Sequence, residues 1–227
     1  MLYSLKYLAR KKRYQQKAAG TPVQPLYEQG FIKPSQLFTS TRFLVIDCEM
    51  SGLDVKTSQL LSIGWVMIEQ GRIINASGRH QLIHAERGAG DSSIIHGLVD
   101  SNIAGASSAV SVLMLLIKQM QDAVLVFHHA KLDIKFLEKV ALEHFRCPLL
   151  FPYLDTMIIE KHRSSLQGKT FGLRLAQCRQ RYGLPSSTQH NALADAQATA
   201  ELLLAQASYI GRPHNLKLSD LSLRCTG

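Results

Sequence analysis

Four carboxylates and one histidine form the pattern in this sequence most suited to chemistry. Asp47 and Glu49 stand two apart in the run Phe43-Leu44-Val45-Ile46-Asp47-Cys48-Glu49. On a strand that spacing sends both acids to the face carrying Phe43 and Val45, while Cys48 points the other way. Like charges ~4 Å apart repel by about 4 kcal/mol at an effective dielectric of ~20, so the pair is poor structural material. The alternative is a strand end that simply emerges into solvent. Asp133 opens a helical pattern and shares a stripe with Phe136, Leu137 and Val140. Asp195 does the same with Ala198, Thr199 and Leu202. Each of these two also has a structural explanation, since an acid near a helix start favours the helix dipole.

The combination says more than any one member. If acids on inward-pointing stripes converge, they need cations, because unpaired buried charges cost several kcal/mol each. No basic residue shares those stripes, so a divalent ion is the natural counter-charge. Oxygen ligands select Mg²⁺ or Mn²⁺ over zinc. His190 lies five residues before Asp195. Within one helix that spacing turns the two about 140° apart. From a loop before the helix, His190 reaches the same site as a candidate general base with an unperturbed pKa near 6.5.

The elements that must position these groups are readable in outline. Regular structure is expected to begin at Arg42, with a strand apolar on both faces until the acids arrive. Residues 60–69 and 72–83 around Gly71 look like a β-meander. Val110, Leu113, Met114, Ile117 and Met120 have helical spacing. A fourth strand at 123–127, a helix at 131–145 and a short fifth strand near 149–154 follow, then a mostly helical stretch to Gly211. The order predicts a mixed sheet with helices on its faces, an α/β arrangement. Residues 1–40 read as a basic arm and a linker punctuated by Pro22, Pro25, Gly30 and Pro34, and 212–227 as a patternless tail. The domain proper is expected at 41–211.

Composition narrows the class. With 227 residues, 46% hydrophobic and 19% charged, the chain suits one globular domain with tails. Its 26 Lys+Arg against 17 Asp+Glu, net +9, point to a polyanionic partner such as nucleic acid. Cys48, Cys147, Cys178 and Cys225 form no C-x-x-C pair, which leaves no zinc or disulfide framework and fits a reducing cytoplasm. The densest apolar stretch, 110–117, is far short of the ~20 residues that span a bilayer, so no membrane association is expected. The first 20 residues hold Lys6, Arg10, Lys11, Lys12, Arg13 and Lys17 and no acid; they lack a secretory apolar core, although the composition also suits a mitochondrial transit peptide.

Three motifs in order resemble the DEDDh (DnaQ-like) 3′–5′ exonucleases, closest to the DNA polymerase III epsilon-like proofreading branch. Asp47-Cys48-Glu49-Met50-Ser51-Gly52-Leu53 resembles the first, His128-His129-Ala130-Lys131-Leu132-Asp133 the second, and His190-Asn191-Ala192-Leu193-Ala194-Asp195-Ala196 the third. Residues 59–64 with Ser-Ile-Gly, Ile95-His96-Gly97-Leu98, Leu154-Asp155-Thr156 and Arg181-Tyr182-Gly183-Leu184 fall in expected slots. The resemblance covers about residues 42–208. It implies a ribonuclease H-like fold with five strands ordered 3-2-1-4-5 and helices on both faces. Asp47, Glu49, Asp133 and Asp195 would hold two ions, Mg²⁺ or Mn²⁺, and His190 would activate water. Two ions roughly 4 Å apart suit in-line displacement at phosphorus. Met50, Ser51, Gly52, Leu53 and His96 would line the nucleotide, Leu53 as the apolar contact to the terminal base. The implied partner is a single-stranded 3′ end, DNA favoured, with a DNA polymerase as a candidate partner protein.

The sequence also departs from the family pattern. Met50-Ser51 replaces the usual Thr-Thr, which removes a hydroxyl contact, and His129 replaces the usual Asn. The run Asp-x-Glu-Met-x-Gly-Leu-Asp is similar to oligoribonuclease, a relative that trims very short RNA, although the third motif argues against that branch. Two other readings stand beside the nuclease: a catalytically weak nucleic-acid-binding module on the same fold, and a structural protein whose acids are solvated.

Overall fold

In the computed structural model, residues 2–85, 106–166, 168, 171–187 and 191–226 are described. Their strands form one sheet: β1 (Arg42–Met50), β2 (Leu60–Glu69), β3 (Arg72–Leu82), β4 (Ala123–Phe127), β5 (Pro152–Asp155) and β6 (Arg224–Cys225), in the order β3-β2-β1-β4-β5-β6. β1 runs antiparallel to β2 and parallel to β4, and β4 runs parallel to β5. The helices are α1 (Leu2–Ala18), α2 (Gln24–Glu28), α3 (Ala109–Met120), α4 (Lys131–Phe145), α5 (Thr156–Leu166), α6 (Leu175–Arg181) and α7 (Ala192–Ile210).

Strand alternation sorts the core into two layers. Leu44, Ile46 and Cys48 of β1 join Leu125 and Phe127 of β4 against Leu113, Leu116 and Ile117 of α3 and Phe136 and Leu137 of α4. Phe43 and Val45 take the opposite face with Val124 and Val126, against Ala200, Leu203 and Ala207 of α7. The two central strands are therefore apolar in both registers, which the sequence predicts for β1. No helix among the described residues is long and apolar enough to cross a membrane.

Two expectations about the ends need correction. Regular structure begins well before Arg42. The cation-rich segment expected as an arm is helix α1, and α2 lies within the expected linker. Tyr7 and Ala18 of α1, with Val23, Leu26 and Tyr27, are buried in the first core layer. Tyr7, Tyr14 and Ala18 are spaced by seven and four, one helical face, and Arg10 on that side pairs with Glu138 of α4. The 212–227 tail is also built in. Leu216, Leu218 and Leu221 are buried in the second layer. The Phe38 amide donates to the Leu216 carbonyl (2.8 Å), and the Leu218 amide donates to that of Gln36 (3.0 Å). The chain then pairs as β6 with β5, Tyr153 opposite Arg224, which makes six strands where five were expected. Thr226 Oγ1 locks this end by accepting from the Phe151 amide (3.1 Å) and donating to the Leu149 carbonyl (3.0 Å).

Docking of α1 makes a stability prediction. Tyr7 is 3% exposed and its ring meets Phe31 at 5.9 Å. Tyr7→Ala should cost about 3 kcal/mol, the usual range for emptying an aromatic core position, read from a denaturant midpoint at unchanged slope. A loss below about 1 kcal/mol would mean that α1 rests on the body without stabilising it.

Candidate active site

β1 and α7 bring three of the predicted acids together. Oxygens of Asp47, Glu49 and Asp195 all lie within 4.8 Å of one another, close enough to share a metal ion. The cause is local. Asp47 pairs with Gly64 of β2, and the first turn of α7 sits directly on that glycine. A Cβ at residue 64 would lie 2.1 Å from the Ala192 carbonyl carbon and 2.2 Å from the Leu193 nitrogen. The Ser-Ile-Gly slot thus has a physical reason, because only hydrogen at this position lets the helix approach. Asn191 caps α7, its side chain accepting from the Ala194 amide at 3.1 Å, and Asp195 follows in the first turn. Gly64→Ala should lift α7 by about 1 Å to restore van der Waals distance. A displacement of that size costs about 100-fold in rate. A hydrolysis assay beside a thermal melt checks this, and full activity would show that the helix contact does not set the site.

Asp133 arrives from the other side of the sheet. β4 pairs β1 only as far as Val45 opposite Val126, while β1 runs on to Met50. Beyond that point the Cys48 amide donates to Asp133 Oδ1 at 3.1 Å. Asp133 is therefore tied to the strand between the two other acids of β1, and the closest three-carboxylate group excludes it. Its stripe partners Phe136, Leu137 and Val140 are buried as expected, as are Ala198, Thr199 and Leu202 beside Asp195.

Burial and mutual repulsion push these carboxyls up. Asp47 is held well above the usual carboxylate range by burial, then by Asp133, Glu49 and Asp195. Burial, with Asp195 and Asp133, raises Glu49 to about 7. Burial raises Asp133 to about 7 against the opposing amides of residues 133 and 48. A cluster in which Asp47, Glu49 and Asp133 resist ionisation is complementary to a divalent cation, and all its donors are hard oxygens. The donor set therefore fits a divalent metal ion.

A cleft of about 370 Å³ opens on this cluster, lined by Asp47, Asp195, His128, Arg174, Gln177 and Ser187. His128 follows the last residue of β4, at the carboxyl ends of parallel strands, where α/β sheets place their ligands. That position was the available signal for it. Arg174, Gln177 and Ser187 lie beyond any periodicity cue. Both His128 nitrogens are engaged: Nε2 donates to the Leu173 carbonyl (2.8 Å) and Nδ1 meets the Thr156 hydroxyl (2.8 Å). Burial lowers its pKa. It is a fixed wall of the cleft rather than a proton acceptor.

The departure at His129 has a backbone reason. Its φ is +72°, a left-handed conformation in which Asn and His are both over-represented. Asp155 holds the turn by accepting from the amides of His129, Ala130 and Met157, each at 3.0 Å. At the predicted nucleotide side, Met50 is buried while Leu53 is 81% exposed. Ser51 closes the loop between them, its hydroxyl accepting from the Gln59 amide at 2.9 Å. His190, His96 and the 95–98 segment lie outside the described residues.

Comparison with known proteins agrees with this geometry. The sequence model of the exonuclease family, RNase T, matches residues 44–203. The DNA polymerase III PolC-type of Thermotoga maritima is 29% identical over 185 residues, 81% of this chain and 13% of that polymerase. The DNA polymerase III subunit epsilon of Aquifex aeolicus is 26% identical over 167 residues, 71% of this chain and 78% of that subunit. This chain thus spans only about an eighth of the PolC-type relatives. Among solved structures, exonuclease X in complex with 5′ overhanging duplex DNA superposes with TM-score 0.61 at 19% identity, covering 79% of this chain and 99% of that one. At such identity the likeness speaks for the fold, and the ribonuclease H-like arrangement expected from the motifs is the one found, with one strand added.

Proposed function

The chain belongs to the RNase T-type exonuclease family, and from that premise we propose that it is a metal-dependent 3′–5′ exonuclease that removes nucleotides from nucleic-acid 3′ ends, DNA in preference to RNA. The observation that carries this is the convergence of Asp47, Glu49 and Asp195 within 4.8 Å of one another, with Asp47 and Asp195 lining a cleft. Asp133 completes the set. These four would hold Mg²⁺ or Mn²⁺, which supplies positive charge where the phosphate gains negative charge.

The remaining steps belong to the chain. His190 takes the proton of the attacking water, as a general base placed before α7. Exposed Leu53 offers an apolar surface to the terminal base, and the backbone of Met50, Ser51 and Gly52 runs along the sugar. By the family resemblance His96 would be a further contact to the nucleotide. Asp133, through the Cys48 amide, fixes the strand that carries both first-motif acids. The partner protein in this reading is a DNA polymerase, supported by epsilon and PolC relatives; a cytoplasmic location rests on the absence of any C-x-x-C pair in the sequence.

Digestion of end-labelled single-stranded DNA, RNA and dinucleotides, with Mg²⁺, Mn²⁺ or chelator, tests the proposal. Mononucleotides should appear from the 3′ end with either ion and not with chelator. A phosphorothioate at the 3′-terminal linkage should slow release, and one at the 5′ end should not. The reverse polarity would refute the assignment, and a preference for RNA dinucleotides would move the chain to the oligoribonuclease-like alternative.

A further inference from the structure

A second cleft, about 500 Å³, lies behind the amino end of α4. Its walls include Lys131 and Lys135 of α4, His129, Tyr153 of β5, Arg10 of α1 and Arg224 of β6. The acids in that wall are committed locally. Glu138 pairs with Arg10, and Asp155 accepts three backbone amides. Lys131 and Lys135 are exposed, so the cleft presents cations beside an aromatic ring and the apolar side chains of Ile134, Met157 and Ile158. Tyr153 is itself packed against Phe127 and Phe151, so it is the exposed cations, which track a phosphate backbone in single-strand grooves, that suit this cleft to a nucleic-acid strand.

Its position relates it to the first cleft. His128 lines the catalytic cleft and His129 lines this one. On α4, Lys131 and Lys135 each stand two residues from Asp133, so they project about 160° away from it. The two clefts therefore flank one helix end. The separation is about one helix diameter, ~10 Å. Arg10 and the Arg224–Thr226 wall lie outside the 44–203 segment that matches the family, so the two ends of this chain complete one side of the cleft.

We propose that this second cleft binds the phosphate backbone of the substrate strand upstream of the nucleotide being removed, with Lys131 and Lys135 as the phosphate contacts. The inference rests on the nuclease reading. It gives an acidic catalytic site a basic anchor upstream of it, and it makes substrate affinity depend on length.

The test compares the wild-type protein with Lys131→Gln/Lys135→Gln by fluorescence anisotropy on single-stranded 12-mers and 2-mers. Chelator prevents hydrolysis and leaves the basic cleft as the main anchor. At 50 mM salt the double variant should bind the 12-mer about tenfold more weakly. Its slope of log K against log salt should be shallower by about 1.4, at ~0.7 per single-strand contact. Binding of the 2-mer should not change. Lys33→Gln/Lys118→Gln removes the same charge elsewhere and should keep wild-type 12-mer affinity; both pairs are exposed, so melting temperatures should stay together. Unchanged 12-mer affinity and slope in Lys131→Gln/Lys135→Gln, or an equal loss in the control pair, overturns the second cleft. If the wild type still digests DNA with Mg²⁺, the nuclease reading survives that result. A wild type that digests no nucleic acid removes both.

Discussion

Asp47→Asn should lower hydrolysis by about 10³-fold while making the metal-free protein more stable at pH 8. The first effect follows from its place in the cluster with Glu49 and Asp195, where it would hold the ion. Losing one charged ligand forfeits several kcal/mol of charge stabilisation at phosphorus, and ~1.4 kcal/mol is tenfold in rate. The second effect has the opposite sign because Asp47 is surrounded by Asp133, Glu49 and Asp195. An amide of the same shape relieves that repulsion. The pH dependence has a fixed direction. Glu49 and Asp133 titrate at about 7 in the native protein, against about 4 when unfolded. Between those values the native state holds more protons, so stability falls as pH rises. In chelator, stability should be full below pH ~4 and lost as pH rises through about 7. Mg²⁺ should restore the melting temperature at pH 8 and do little at pH 5, where protons compete for the carboxylates. Both the pH slope and the Mg²⁺ response should shrink in Asp47→Asn. Near-normal turnover in a folded Asp47→Asn protein would sink the metal-ligand assignment, and a metal-free melting temperature that rises with pH would sink the account of the cluster.

What was legible in advance was whatever depends on a repeat. Asp47 and Glu49 share a face because strand alternation is strict, and the stripes below Asp133 and Asp195 follow from helical spacing. What escaped depends on where elements end. The Asp133–Cys48 contact exists because β4 stops short of β1, and no local pattern encodes that difference in length. His128 belongs to the cleft for the same reason. β6 has only two residues, too few to alternate, and is recognisable only through Thr226 and its partners on the chain before β5. Helix α1 was hidden by its composition. Its inward face is two tyrosines and an alanine within a run of six cations, which reads as solvated unless the spacing of the tyrosines is given more weight than the charges. That correction changes what the cations can do. Held on a docked helix, Arg10 has a fixed place in a cleft wall, which a disordered arm would not provide.

His190→Ala should slow hydrolysis by about 10²–10⁴-fold, the usual cost of losing a general base, while leaving metal-induced stabilisation intact. The helical spacing that would turn residue 190 away from Asp195 does not apply, because α7 starts at Ala192 behind its cap Asn191. The neighbouring histidine is unsuited to the task, since both His128 nitrogens are committed to Leu173 and Thr156 and burial lowers its pKa. The carboxylates would be occupied by metal, which leaves them little basicity. A base with an unperturbed pKa near 6.5 is half-protonated there, so the wild-type rate should fall tenfold per pH unit well below that value. With saturating Mg²⁺ the carboxylates remain ionised, and the acidic limb reports the base rather than the ligands. In His190→Ala that limb should flatten as hydroxide or bulk water takes over the role. The decisive comparison is the pH–rate profile of the two proteins at saturating metal, with thermal melts to confirm that the variant still binds the ion. A variant that keeps the same acidic midpoint and a rate close to wild type would show that another group removes the proton.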